Sequence, residues 1–122
     1  MTKRAVDPKA ALAKALTPSK YHARRTEVDG ITFASNKEAT RYRVLRLLEK
    51  AGRIAQLELQ VPYDLIVNGV KLGKYVADFR YWEGNEEAAI LVIEDTKGFK
   101  TPVYQLKRKL MKALYDIDIV ET

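Results

Sequence analysis

Two periodicities alternate along the chain. Tyr42, Leu45 and Leu48 recur at helical spacing, with Val44, Leu47 and Ala51 widening the stripe, so an amphipathic helix is predicted there. Ser35-Asn36-Lys37-Glu38 opens it as a capping box, and Ala51-Gly52 closes it. Three strands follow. Residues 54–67 read as one or two β segments interrupted near Pro62, Asn68-Gly69 is a type I′ hairpin signal, and the return strand covers residues 74–82. Gly84-Asn85 turns the chain into residues 88–97, of which 88–93 are apolar at every position. A strand apolar on both faces belongs at the centre of a sheet, covered on both sides. Thr101-Pro102 then caps a second helix to about Tyr115, with Val103, Leu106, Leu110, Ala113 and Leu114 expected inward. Residues 117–120 form a last short strand, and residues 26–33 around Asp29-Gly30 form a small hairpin or turn. The order α-β-β-β-α-β predicts an α/β chain of the mixed α+β kind, with one mixed sheet flanked by helices.

A separate arm precedes this pattern. Asp7-Pro8 begins an Ala-rich run to Leu16, closed by Thr17-Pro18, which favours a helix too short to be stable alone. The expected division is a basic arm over residues 1–18 and one domain over residues 19–122. A length of 122 residues suits a single core. The absence of Cys excludes disulfides and thiolate–metal sites and favours an intracellular setting. The longest apolar run, residues 88–93, is far short of the ~20 residues a membrane helix needs. No apolar h-region follows the basic start, so neither a signal peptide nor a membrane association is expected.

Charge changes the picture. The net charge is +6, and residues 1–25 hold seven basic side chains (Lys3, Arg4, Lys9, Lys14, Lys20, Arg24, Arg25) against Asp7 alone. The remaining residues carry fifteen bases and fifteen acids. Within them, Lys97, Lys100, Lys107, Arg108, Lys109 and Lys112 form a basic stretch containing no acid. A basic arm plus a basic stripe is an electrostatic footprint for nucleic acid, and equally describes a solvated tail and helix face. The candidate DNA contacts are Lys20, Arg24, Arg25, Lys100, Lys107, Arg108 and Lys112.

The candidate chemistry lies where two strands end. Residues two apart on a strand share a face, so Asp95 and Lys97 project together while Glu94 and Thr96 face away, unless a bulge reverses them. Asp78 stands alone in Tyr75-Val76-Ala77-Asp78-Phe79, sharing its face with Val76, Arg80 and Trp82. Two carboxylates and an ammonium converging at strand ends suit a divalent metal acting on a phosphodiester. The plainer reading is a surface Asp and Lys, with Asp78 paired to Arg80. Mg²⁺ takes oxygen ligands and keeps several waters, so two carboxylates and a phosphate oxygen make a plausible shell. Lys97 then orients the attacking water or stabilises charge on the phosphoryl group. Glu38 is either a helix cap or, heading the stripe that faces the sheet, a further metal ligand. Gln60 is a possible neighbour of the site, and Glu94 is the rival of Asp95. His22, the only histidine, sits with Tyr21, Arg24 and Arg25, and a zinc or Cys/His site is excluded.

The placement of Asp78 on the second strand of the meander and of Asp95-Thr96-Lys97 on the third resembles the PD-(D/E)XK nuclease superfamily, over residues 19–121. The segments Tyr75-Val76-Ala77-Asp78-Phe79 and Glu94-Asp95-Thr96-Lys97-Gly98 also look like its small phage-associated members. Ala77 replaces the Pro of the pattern, a position with no chemical role. The resemblance implies a restriction-endonuclease-like core in which Asp78 and Asp95 bind Mg²⁺, or Mn²⁺ in its place, with the Thr96 carbonyl as a third ligand. Glu38 would match the first-helix acid of many such nucleases. It further implies in-line hydrolysis of DNA phosphodiesters in the cytoplasm of a bacterial or phage-infected host. Many small members resolve four-way (Holliday) junctions as homodimers, which makes branched DNA the expected partner. A non-catalytic DNA-binding protein on the same fold, or a nuclease for flaps, nicks or RNA, is the alternative.

Overall fold

The computed structural model describes residues 25–85 and 87–122. The arm helix expected over residues 7–16, together with Lys20, His22 and Arg24, lies outside the described residues. Two compact units divide at Arg43 and Val44.

In the first unit, β1 (Thr26–Val28) and β2 (Ile31–Phe33) form an antiparallel hairpin. Asp29 and Gly30 both take positive φ (53° and 75°), as a type I′ turn requires. The helix α1 (Asn36–Lys50) then begins. Tyr42 donates to Asp29 Oδ2 at 3.0 Å and its ring tilts against Phe33 at 4.9 Å, which ties the hairpin to this first part of the helix.

The second unit holds the end of α1 and a four-stranded mixed sheet of β3 (Ile54–Val67), β4 (Val70–Glu83), β5 (Ile90–Asp95) and β6 (Val120–Glu121), in that order. Only β5 and β6 run parallel. Together with α2 (Pro102–Tyr115) and the hairpin, this is an α+β fold. β3 continues through Pro62, which pairs with Val76. β3 is an edge strand, where a missing backbone donor can face away from the ladder. Asn68 and Gly69 take positive φ at the β3–β4 turn, as the hairpin signal predicts.

Four expectations need correcting. β5 does lie between two strands, but β6 pairs only with Glu94 and Asp95; Ile90 and Leu91 are therefore exposed. β6 itself is Val120–Glu121 rather than residues 117–120. The inner face of α2 is also rotated from the apolar stripe. Tyr104 and Met111 are buried, Leu110 is partly so, and Val103, Leu106, Ala113 and Leu114 are exposed. Likewise Val44, Leu47 and Ala51 on and after α1 are exposed, whereas Ala39, Tyr42 and Leu45 are buried.

Beneath α2 the core consists of Val61, Leu65, Tyr75, Ala77, Ile93, Tyr104, Met111 and Ile119. Met111 has no exposed surface, and truncating such a side chain to Ala costs about 2–5 kcal/mol. The α2 N-terminus is set by Thr101, whose hydroxyl accepts from the Tyr104 amide at 3.0 Å. The same bond anchors the turn that carries Tyr104 into the core.

Candidate active site

The strand alternation of β4 changes phase at Asp78. Before it, Tyr75 and Ala77 sit in the core under α2. After it, Arg80 reaches Tyr63, which packs against that same core, while Phe79 and Tyr81 are buried outside it. The β3–β4 ladder passes from Leu59↔Phe79 to Val61↔Ala77, skipping Gln60 and Asp78. Gln60 has φ 53°, a left-handed conformation that breaks the pleat. Asp78 thus does not share a simple face with Val76 and Arg80, as regular alternation would require. Nor does the described Arg80 pair with it: Arg80 binds Glu58 at 2.6 Å.

At this break Asp78 accepts from Thr96 and Gln60. Thr96 N donates to Oδ2 at 2.9 Å, and Gln60 Nε2 to Oδ1 at 3.3 Å. The Thr96 bond brings the end of β5 against Asp78, so Asp95 arrives beside it. Asp95 is 1% exposed. Its Oδ2 accepts from the Tyr75 hydroxyl at 2.6 Å, and Lys97 Nζ lies 3.5 Å from Oδ1. That distance is an ion pair but too long for a good hydrogen bond, and Oδ1 is buried with no hydrogen-bond partner. Lys97 Nζ also stands 4.8 Å above the Tyr104 ring, and Tyr104 donates its hydroxyl to Glu121 at 2.7 Å. Lys100 and Arg108 flank Glu121 at 3.1 and 3.4 Å.

The electrostatics follow from this crowding. Burial pushes the Asp95 carboxyl up to about 6; the Tyr75 hydrogen bond and Lys97 oppose the rise, while neighbouring Asp78 adds to it. Tyr75 is raised well above the usual phenol range by burial first and by Asp95 second. Tyr104 is raised by burial and then by its bond to Glu121.

Glu94, the rival ligand, is wholly buried on other partners, accepting from the Tyr81 hydroxyl. Glu38 belongs to the first unit, is buried, and has the contacts of a cap. Its amide donates to Ser35 Oγ at 3.2 Å and its carboxylate accepts from Ala34 N at 3.3 Å. Among the proposed DNA contacts, Arg25 is exposed, Lys100 and Arg108 pair with Glu121, and Lys112 pairs with Asp116 and Asp118. Sequence reasoning did not single out Tyr75, Tyr104 or Glu121. Tyr75 stood within the quoted Asp78 segment, three residues before the acid, but nothing local announces its bond across the sheet.

Among the described residues, no three His, Cys, Asp or Glu side chains gather as a metal-ligand group. Asp78 and Asp95 make a two-carboxylate site, and a divalent cation fits it on physical grounds. Two acids side by side, one with a buried oxygen that has only the loose Lys97 ion pair and no hydrogen bond, concentrate negative charge that is partly balanced. Oxygen ligands of this kind suit Mg²⁺, which takes few carboxylates and completes its shell with water and phosphate.

A family model described as "Protein of unknown function (DUF1064)" matches residues 18–120. The chain belongs to the DUF1064 family. No curated protein and no solved structure matches it. The match to this family spans both described helices and the full Asp78/Asp95/Lys97 site.

Proposed function

We propose that this DUF1064 protein is a metal-dependent endonuclease that hydrolyses DNA phosphodiesters. The observation that carries the reading is the meeting of Asp78, at the break inside β4, with Asp95 and Lys97 at and just beyond the end of β5, with one Asp95 oxygen buried and lacking a hydrogen bond. Asp78 and Asp95 are the residues that would hold Mg²⁺ or Mn²⁺. The ion, when bound, supplies positive charge to the phosphoryl oxygens and a nucleophilic water at neutral pH. Thr96 N and Gln60 orient Asp78, and Tyr75 orients Asp95. Lys97 keeps an ammonium beside Asp95, where it stabilises negative charge growing on the phosphoryl group. Tyr104, beneath Lys97, limits where that ammonium can go.

The substrate within this reading is branched DNA, cut by a homodimer at four-way junctions, as the resemblance of the two strand segments implies. Cleavage of a labelled panel with Mg²⁺ tests it: four-way junction, flap, nicked duplex, intact duplex and single strand. Preferential paired cuts in the junction are expected. Equal cutting of intact duplex would remove the junction assignment and leave the nuclease assignment standing. Binding without cleavage of any member, in Mg²⁺ and in Mn²⁺, would make the protein a DNA-binding module instead.

A further inference from the structure

A cleft of about 360 Å³ opens directly beside the proposed active site, lined by Lys74, Tyr75, Lys97, Thr101, Tyr104 and Lys107 among others. It adjoins the site through shared residues, because Tyr75 and Lys97 both line it and both touch Asp95. Three of the lining side chains are lysines. Lys97 is committed to Asp95 and the Tyr104 ring. Lys74, exposed on β4, and Lys107, half-buried on α2, make no ion pair among the described residues.

A second, larger cleft of about 500 Å³ on the other flank of α2 makes the contrast. It too is rich in cations, but Lys100 and Arg108 are bound by Glu121 and Lys112 by Asp116 and Asp118. An incoming phosphate there competes with carboxylates already in place. In the smaller cleft it meets two ammonium groups that no described carboxylate holds, next to the proposed reacting centre.

We propose that Lys74 and Lys107 each hold a backbone phosphate of the strand being cut, adjacent to the phosphodiester at Asp95. This inference rests on the nuclease reading and gives that site a substrate path, running from Asp95 between β4 and the start of α2. The buried rings of Tyr75 and Tyr104 (3% and 6% exposed) cannot stack on bases. The contact is therefore to the backbone and carries no sequence preference.

The test is metal-free equilibrium binding of the full chain to fluorescent duplex and four-way-junction DNA in EDTA, over a series of salt concentrations. Each lysine that neutralises a phosphate contributes about 0.9 to the slope of log K against log salt. Lys74→Gln/Lys107→Gln should weaken binding and flatten the slope by about 1.8, and Lys74→Arg/Lys107→Arg should restore most of it. Lys50→Gln/Lys71→Gln changes net charge equally and should leave the slope near the wild-type value. An unchanged slope in the first pair, or equal changes in both pairs, overturns the inference. So does wild-type protein that fails to bind either DNA. Cleavage by wild type in Mg²⁺ is scored separately. Absence of cutting with a slope change confined to the Lys74/Lys107 pair sinks the nuclease reading and keeps the phosphate site.

Discussion

Two of the carboxylate–cation pairs on the same sheet are built in opposite ways. Glu58 and Arg80 face each other across β3 and β4, bonded at 2.6–2.7 Å, with Tyr63 taking a further Arg80 donor. Every partner is met, and the hydrogen bond from Arg80 holds the Glu58 carboxyl below its ordinary range. Asp95 and Lys97 are 3.5 Å apart, Asp95 is buried beside a second acid, and its carboxyl is raised to about 6, chiefly by burial. One pair favours its charges and the other carries them at a cost. A carboxylate held at a cost, aimed at a cleft and paired loosely to a lysine, is the arrangement expected of a functional site rather than of a structural ion pair. The satisfied pair is a cross-strand clasp.

The largest expected difference between the two is in catalysis. Asp78→Asn and Lys97→Ala should each lower the cleavage rate at saturating DNA by roughly a thousand-fold or more, because each removes a ligand or charge used at the reacting phosphate. Glu58→Gln should stay within about three-fold of wild type. Comparable losses in Glu58→Gln would erase the distinction between the pairs.

Stability should move the other way. The unfolded Asp95 ionises near 3.8 and the folded one near 6. Between those values the folded chain keeps a proton that the unfolded chain has released. The stability this confers is present in full below pH 4 and lost as pH rises through 6. Asp95→Asn does not titrate and its amide oxygen still accepts from Tyr75. In EDTA its advantage over wild type should therefore grow between pH 4 and pH 6 and level off above, at on the order of 2–3 kcal/mol. Thermal melts of both proteins at pH 4 and pH 7.5 measure it. A variant less stable than wild type at pH 7.5 would mean that Asp95 is a structural acid like Glu58.

A smaller effect concerns how Lys97 is held. Tyr104→Phe keeps the ring under the ammonium and loses only the bond to Glu121, whereas Tyr104→Leu removes the ring. Cation–π contacts are worth ~0.5–2 kcal/mol, so Tyr104→Leu should reduce kcat about ten-fold with little change in KM, and Tyr104→Phe should retain most of it. Equal losses in both would assign the role to the hydroxyl and Glu121 instead. The smallest effect is expected at Glu38. Gln also serves in a capping box, so Glu38→Gln should cleave at close to the wild-type rate, even at limiting Mg²⁺. A fall by orders of magnitude with an unchanged melting temperature would add Glu38 to the ligand set.

Local signals and long-range ones fared differently in the sequence. The two hairpin turns at Asp29-Gly30 and Asn68-Gly69 and both helix starts were legible, because each depends on a few adjacent residues with special backbone or capping chemistry. The inner face of α2 was not. Its apolar stripe, Val103, Leu106 and Leu114, is exposed, while an aromatic with a polar tip, Tyr104, is buried because its hydroxyl finds Glu121. The phase break at Gln60 and Asp78 was equally hidden, since alternation says nothing about a positive φ in the partner strand. For the candidate site, Asp95 and Lys97 could be paired from their spacing alone. The residues that hold them, Tyr75 and Tyr104, come from another strand and another helix, and only the folded sheet brings them there.

The most direct measurement is the initial rate of DNA cleavage against Mg²⁺ concentration for wild type, Asp95→Asn and Glu58→Gln, on the best substrate of the labelled panel. The account predicts saturable, EDTA-sensitive cleavage by wild type, a nearly superimposable curve for Glu58→Gln, and no detectable cleavage by Asp95→Asn at any Mg²⁺ concentration. Cleavage by Asp95→Asn at the wild-type rate, or wild-type cleavage that persists in EDTA, would contradict it.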